Sequence, residues 1–378
     1  MSVAKPFRAE DWWIGKASLL MGLVYLFTIY FQIPFADFGL WACCSLLTII
    51  GFASLGYLVN DFFDLEKDKL ANKKNFLLHK SAIQKSVYFS IALLLLFAPW
   101  YILPYDFFTI ALMLLQLLLY LLYSMPGIRL KERGISGLIT DALYAHSIPS
   151  LMAAHTYALI SNKPLGITFI VLLFAWQFCV GIRNILLHQL NDYNSDRISN
   201  TKTYILINKS NESTLLLQKL IVTELTILIS IFIILLWGNK MFLIALVLIL
   251  CSLLYNFLKH TQNHEVNYYP NSIYEHILPF AFISILATGD KRYVLILLLQ
   301  FILFSGKKIG MFISCIPFKG FWFNIENKIG YSAHFAFSNL KLGINLGIYY
   351  FFRIIGIDLI KEKTDAKGYI LRQLNKKK

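Results

Sequence analysis

The sequence predicts an all-α fold: a polytopic membrane bundle of about nine to ten transmembrane helices with a cytoplasmic cap. Three observations lead there. The 378 residues are 57% hydrophobic and only 15% charged, where a soluble domain carries about 25%. Apolar runs of roughly 17–25 residues recur, each long enough to cross a ~30 Å hydrocarbon core as a helix. Lys and Arg crowd alternate loops, at 67–85, 129–133, 197–209 and after Lys307, while the opposite loops hold only Lys163, Lys240 and Lys291 with Arg292. That asymmetry places the basic loops and the N-terminus on the cytoplasmic side of a lipid bilayer, a bacterial-type inner membrane if the source is prokaryotic.

Taken in order, residues 1–16 are too polar for a signal peptide and are expected at the cytoplasmic interface, with Trp12 and Trp13 where aromatic rings prefer to sit. Spans follow at 17–34, 38–59, 86–104, 107–124, 137–160, 165–187, 215–237, 240–258, 273–289 and 291–305. A soluble helix keeps a polar face; "VYFSIALLLLFAPWYIL" has almost none. The last two runs could pair as one re-entrant hairpin. Residues 17–305 form the expected transmembrane domain. Residues 306–378, where Lys341, Asn345 and Arg353 interrupt an apolar stretch, read as a basic interfacial extension. The net charge of +14, spread in this way, suits an anionic leaflet and argues against a nucleic-acid partner. Five cysteines (Cys43, Cys44, Cys179, Cys251, Cys315) lack ligand spacing and read as small core residues.

The second span ends in "LVNDFFDLEKDK". Asn60, Asp64 and Asp68 stand at i, i+4 and i+8, along one face of a helix. Alone, such a stripe is also what a solvated helix end looks like. It recurs after the sixth span: in "LLHQLNDYNSDRISNTKTY", His188, Asp192 and Asp196 repeat the spacing. Both clusters follow even-numbered spans and share one membrane side, so the recurrence favours function over solvation. Two facing stripes make an oxygen-rich cage for Mg²⁺, which binds through one or two carboxylates plus substrate phosphates. The expected metal residues are Asn60, Asp64, Asp68, Asp192 and Asp196. The basic loop "YSMPGIRLKERGISG" brings Arg129 and Lys131 near, and Arg197 and Lys202 follow the second stripe. Cations beside metal-bridging carboxylates suit a diphosphate. Metal and basic groups would neutralise a departing pyrophosphate while an allylic carbon gains positive charge in an apolar tunnel. Aromatic faces could steady that charge, although 31 Phe and 21 Tyr do not single out which.

"NDFFDLEKD" resembles the N-D-x-x-D-x-x-x-D signature of the UbiA superfamily of intramembrane prenyltransferases, and "DYNSDRISNTKT" is similar to its second motif. A basic loop ending in Gly stands between them, and "FRAEDWWIGK" is similar to an Arg…Trp…Lys pattern of some members. The resemblance covers residues 8–305. It implies nine helices around a central cavity, Mg²⁺ bridging a polyprenyl diphosphate to both motifs, and a lateral opening for the isoprenoid tail. Asn60, Asp64 and Asp68 match the first metal motif, Asp192 and Asp196 the second, and transfer should depend above all on Asp64 and Asp192. Asp61 matches a motif position but lies off the ligand stripe, so it is expected to cap or to support the ligands from behind.

Several positions depart from that pattern. His188 stands where many members carry a third acid; Mg²⁺ prefers oxygen to its nitrogen, so it is expected to orient a phosphate or the acceptor. "NKKNFLLHKSAI" replaces Lys-Arg-Pro but keeps the charges of Lys73, Lys74 and Lys80. The mid-loop Tyr-x-x-x-Lys is not clean, so either Arg129 or Lys131 must serve. Arg183, in the last turns of the sixth span, is expected to touch diphosphate or acceptor, or else to be a snorkelling structural arginine. His146 and His155 read as core or cavity hydrogen-bonders near Asp141, and the loop 259–276 as cap. The acceptor stays open among a quinone-precursor aromatic, a glycerol phosphate, a porphyrin-like ring and a sugar phosphate. A cation-coupled transporter would place its ionisable groups near the midplane, whereas these acids stand at span ends. A non-catalytic isoprenoid-binding scaffold of the same fold is the other rival, and a soluble isoprenoid synthase is excluded by the long apolar runs.

Overall fold

The structure is a computed structural model that describes residues 6–208, 210–260, 271 and 273–305. The expected C-terminal extension, Cys315 and most of the 259–276 loop lie outside the described residues. Every regular element among the described residues is helical, as lipid demands of a backbone that must satisfy its own hydrogen bonds. In chain order these are α1 (Ala9–Phe31), α2 (Phe35–Phe63), α3 (Leu65–Leu70), α4 (Ala82–Phe97), α5 (Phe107–Ser124), α6 (Ile135–Ala142) and α7 (Ile148–Ser161). They continue as α8 (Ile167–Asn191), α9 (Tyr193–Ile198), α10 (Tyr204–Ile207), α11 (Ser210–Gly238), α12 (Phe242–His260), α13 (Leu278–Gly289) and α14 (Tyr293–Gln300).

Among the described residues six segments are long and apolar enough to cross a membrane: Ala9–Phe31, Phe35–Phe63, Ala82–Tyr101, Phe107–Ser124, Ile167–Asn191 and Leu215–Gly238. The remaining expected spans fall in shorter or interrupted helices. The run 137–160 is α6 and α7 joined through a π-helical turn at Leu143–Ser147. The run 291–305 is α14 continuing into a π turn at Phe301–Ser305.

The bundle is organised around α1. From Ser18 to Phe31 every residue except Tyr30 is buried, with α7 and α13 packed directly against it. Phe169, Trp176, Phe232, Phe242 and Phe282, from α8, α11, α12 and α13, complete the same core. The outer helix α4 shows the opposite pattern: Ile83, Val87, Ile91, Leu94 and Phe97 are exposed at helical spacing. Such a continuous apolar face needs hydrocarbon against it. Two small residues let backbones touch. A Cβ at Gly51 of α2 would lie 2.6 Å from the Leu96 Cα of α4, and one at Gly181 of α8 would lie 2.6 Å from the Ala142 Cα.

The N-terminal stretch differs from its expected interfacial position. Helix begins at Ala9 rather than at 17, and Trp12 is buried in the core with its Nε1 donating to the Phe7 carbonyl at 3.0 Å. A large ring whose one donor is satisfied gains more from burial than from an interface. Trp13 stacks on Phe304 at 5.2 Å and donates to the Leu303 carbonyl at 2.6 Å.

Candidate active site

The two acidic motifs are built on one backbone device. The helix α2 stops at Phe63, Asp64 takes φ −102° and ψ 2°, and α3 follows. Likewise α8 stops at Asn191, Asp192 takes φ −89° and ψ 2°, and α9 follows. The continuous helix expected from the i, i+4, i+8 spacing is therefore broken at its central residue. The stripe survives because the hydrogen bonds do: Asp64 N donates to Asn60 O (3.0 Å), Asp68 N to Asp64 O (2.8 Å), Asp192 N to His188 O (3.0 Å) and Asp196 N to Asp192 O (2.8 Å). Each short helix ends in a left-handed asparagine, Asn72 (φ 53°) and Asn200 (φ 50°), a residue type that tolerates that region. The next N–H, from Lys73 or Thr201, returns 2.9 Å to the carbonyl of Asp68 or Asp196. Behind the stripe, Asp61 Oδ2 accepts from Phe76 N at 2.8 Å, and at the matching place Gln189 Oε1 accepts from Ile205 N at 3.4 Å.

Between the motifs lies a cavity of about 760 Å³, lined by Asn60, Asp64, Asp68, His188, Asp192 and Asp196 together with Lys67, Lys73, Arg129 and Lys131. Away from this charged end the wall turns apolar, through Ile49, Phe52, Leu20, Val24 and Met152, and reaches Ser45. Ser45 stands roughly 22 Å below Asn60 at the rise of an α-helix. Tyr120, Tyr123 and Tyr144 lie along the cavity, the first two edge-on to the third at 4.9 and 5.3 Å.

The carboxylates of the charged end are tied to basic side chains. Asp64 is held by Lys131 and by Arg129 Nη2 at 2.5 Å. Lys131 Nζ also donates to Asn60 Oδ1 at 2.9 Å. Burial lowers the Lys131 pKa from its ordinary value, and the Asp64 charge offsets this only in part. Glu132 binds Arg129 and Lys67. Burial alone would raise its carboxyl, but the hydrogen bonds from Lys67 and Arg129 outweigh it and hold the group below the usual glutamate range. Asp68 is pushed up by burial, against the Asn75 Nδ2 hydrogen bond at 2.8 Å. On the second motif, Lys73 Nζ donates to Asp196 Oδ1 (2.6 Å) and Asp192 Oδ2 (3.2 Å). Burial works against the Lys73 charge, yet the bonds to Asp196 and Asp192 prevail and raise its pKa. Burial likewise raises Asp196, with Lys73 opposing.

Of the other expected site residues, Asp61, Arg183, Arg197 and Lys202 lie outside the lining and His188 shares it. Asp61 is buried behind the lining, where Oδ1 accepts from Arg8 Nη1 at 3.0 Å. Arg183 is buried in a pair with Glu224, its Nε 2.8 and 3.0 Å from the two carboxylate oxygens. Arg197 and Lys202 are exposed and outside the lining. His188 lines the cavity with its side chain 59% exposed, 3.9 Å from Asp192 Oδ2. His155 meets Asp106 at 2.9 Å, whereas His146 lines the cavity. Lys73, Asn75, Glu132 and Arg8 hold the site together without having been assigned to it from sequence. Glu224 left the clearest signal, as a lone acid inside an apolar span opposite the lone arginine of another.

Among the described residues no three acidic, His or Cys side chains converge closely enough to hold a metal ion unaided. The donor set nonetheless fits Mg²⁺. Each motif offers two carboxylates at one cavity mouth, and a hard cation of that size takes the rest of its shell from phosphate and water.

Comparison with known proteins finds the same fold elsewhere. The UbiA homolog from Archaeoglobus fulgidus bound to DMAPP and Mg²⁺ has a TM-score of 0.53 at 15% identity, covering 75% of this chain and 98% of that one. The same homolog bound to GPP and Mg²⁺ gives 0.51 at 16% identity, covering 73% and 98%. These identities establish likeness of fold. No curated protein matches the sequence. The UbiA prenyltransferase family model matches residues 12–268, more than half of the chain. With that match, and with six long apolar helices among its described residues, this integral membrane protein belongs to the UbiA prenyltransferase family.

Proposed function

We propose that the protein is a Mg²⁺-dependent prenyltransferase that moves a polyprenyl group from its diphosphate to an acceptor. The observation that carries this reading is one cavity with both aspartate motifs and their cations at one end and an apolar wall at the other. Asn60, Asp64, Asp68, Asp192 and Asp196 would hold the metal, and Mg²⁺ supplies charge neutralisation for the leaving diphosphate. Arg129 and Lys131 are the diphosphate residues: both already bind a carboxylate, and a phosphate oxygen offers them the same charge-assisted bonds. Lys73, on the facing side, is a third; Arg197 and Lys202 remain cations of the outer surface. Tyr123 and Tyr144, which line the cavity, would steady positive charge on the allylic carbon. The charged end faces the cytoplasm if the basic loops do.

The test uses purified protein in lipid nanodiscs titrated with geranylgeranyl diphosphate, reading thermal stabilisation with and without Mg²⁺ and again in Asp64→Ala. Stabilisation that requires both Mg²⁺ and Asp64 is expected. Its absence for prenyl diphosphates of several lengths would move a transporter or scaffold role ahead of this one.

A further inference from the structure

The end of the cavity away from the acidic motifs is bordered by the chain between α4 and α5. After α4, a 3₁₀ turn at Ala98–Tyr101 packs against α2, and the N–H groups of Ile102 and Leu103 donate to the Pro99 carbonyl at 3.0 and 2.9 Å. This connector buries Trp100 and Leu103 and leaves Tyr101 and Tyr105 exposed. Trp100 and Leu103 both line the cavity, Trp100 as the one tryptophan of its wall among the described residues. Ser124, at the other end of α5, donates to Asn60 Oδ1 of the first motif at 3.1 Å. Asp106, where the connector enters α5, lies roughly 27 Å from Ser124 at the rise of an α-helix.

This end behaves as apolar even where its residues carry hydroxyls. Ser45 and Thr48 of α2 and Thr156 of α7 line the cavity, but each donates back into its own helix. Ser45 Oγ reaches the Trp41 carbonyl at 2.8 Å, Thr48 Oγ1 the Cys44 carbonyl at 3.0 Å and Thr156 Oγ1 the Met152 carbonyl at 2.8 Å. Their donors are thereby satisfied without a ligand. Trp100 Nε1 is buried and has no hydrogen-bond partner among the described residues. An orphan donor of this kind is costly, and phenylalanine would avoid the cost; what the indole adds is size. The connector is also fastened. Asp106 caps α5 by accepting from the Thr109 N–H at 2.9 Å, and His155 Nε2 of α7 lies 2.9 and 3.0 Å from its two oxygens. His155 shares α7 with Met152 and Thr156 of the lining, and its ring meets Phe108 edge-on at 4.9 Å.

We propose that Trp100 and Leu103 set the length of prenyl tail that the protein takes: they form the floor on which the tail ends, and the Asp106–His155 pair is the positioning element that holds this floor in place. This rests on reading the cavity as that of a prenyltransferase, and it specifies the tail of the donor substrate. A hydrocarbon tail is bound by burial alone. Each isoprene unit that fits therefore adds affinity, by more than about tenfold, and the first unit that does not fit adds none. A tail that left between two helices into lipid would meet no floor and show no such limit.

The test melts full-length protein in nanodiscs with Mg²⁺ and the thiolodiphosphates of geranyl, farnesyl, geranylgeranyl, geranylfarnesyl, hexaprenyl and solanesyl chains. The native Tm should rise with each added unit up to one chain length and no further beyond it. Trp100→Ala should move that limit to a chain at least one isoprene unit longer, and Trp100→Phe should move it less. Ala153→Leu, which adds bulk to the same lining from α7, should move the limit one unit shorter, and it tests the floor even where Trp100→Ala does not fold. His155→Leu, which leaves the Asp106 cap in place, should admit the chain just beyond the native limit. Tyr101→Ala, on the exposed side of the same turn, should change nothing. Mg²⁺-dependent stabilisation by inorganic diphosphate reports that each variant folds. The proposal is overturned if no prenyl chain raises Tm, if the native rise continues through the solanesyl chain, or if neither Trp100→Ala nor Ala153→Leu moves the limit. An unmoved limit in His155→Leu overturns the positioning role of the pair. A limit seen with the free prenyl alcohols and moved by Trp100→Ala, in a protein indifferent to Mg²⁺ and diphosphate, would instead remove the prenyltransferase reading and leave the floor standing.

Discussion

Asp64 and Asp192 occupy the same break between a long helix and a six-residue one, but their surroundings differ. Asp64, with 10% of its side chain exposed, is gripped by Lys131 and Arg129 from a loop that Glu132 braces against Lys67. Asp192, 36% exposed, meets Lys73 and, at 3.9 Å, His188. Lys73 is itself supplied by the loop that follows the first motif. The first motif is thus a finished clamp, while the second depends on a borrowed cation and stands more open to solvent. Duplicating a backbone did not duplicate its electrostatics; one copy positions and the other accommodates.

The largest effect should come from the two central aspartates. Asp64→Asn and Asp192→Asn are each expected to lower transfer by about 10³-fold, the scale of losing preorganised charge stabilisation. They should part on stability. Asp64→Asn leaves Lys131 buried without its carboxylate and should cost about 3–5 kcal/mol. Asp192→Asn, at a solvated pair, should cost about 0–1 kcal/mol. Equal losses in denaturant melts would break the comparison.

Lys73→Met addresses the borrowed cation. Without it Asp192 and Asp196 face each other unscreened, so Mg²⁺ should raise Tm further in the variant than in the native protein. Turnover should fall about 10–100-fold, as for other residues that support metal ligands. Identical Mg²⁺ increments would mean that the bridge is inert.

Glu132 gives a pH signature to the clamp alone. Its carboxyl is held below the usual range, so the unfolded chain protonates first as pH falls. Its contribution is complete above the ordinary glutamate value and is lost as pH drops through the folded one. Glu132→Gln should therefore flatten the decline of Tm below about pH 5, through the ordinary glutamate value and on down to the folded one; an unchanged slope would remove Glu132 from the brace. The smallest effect is expected at the first position of each stripe. His188→Ala, at an exposed side chain, should change turnover by no more than about threefold. Asn60→Ala removes a Lys131 partner and should cost about 10-fold. A larger loss at His188 would make it a ligand.

Six of the ten expected spans and both acidic stripes were legible in the sequence because hydrocarbon thickness and helical period are local rules. Partnerships across the fold were not. Nothing within 60–69 or 188–203 indicates that Lys73 crosses to Asp192 and Asp196, since that contact depends on how the two helix ends meet. The stripe spacing also concealed the breaks at Asp64 and Asp192, because an i to i+4 hydrogen bond persists through a single non-helical residue. Trp12 was misplaced for a related reason: its sequence neighbours are polar, and its burial comes from a core it shares with residues distant in sequence, among them Ile273, Tyr274 and Phe304.

The contact between Gly51 and Leu96 acts at a distance. It sets how far α2 and α4 can slide past each other, and the loop joining them carries Lys73, Asn75 and the Phe76 N–H that pins Asp61. Gly51 sits roughly 13 Å along α2 from Asn60 and touches none of the charged groups. Yet a methyl group there would pry apart the two rails on which that loop is strung. It would press on the α4 backbone, 2.6 Å from the Leu96 Cα, so the spacing of two apolar helices governs where a charged loop can sit.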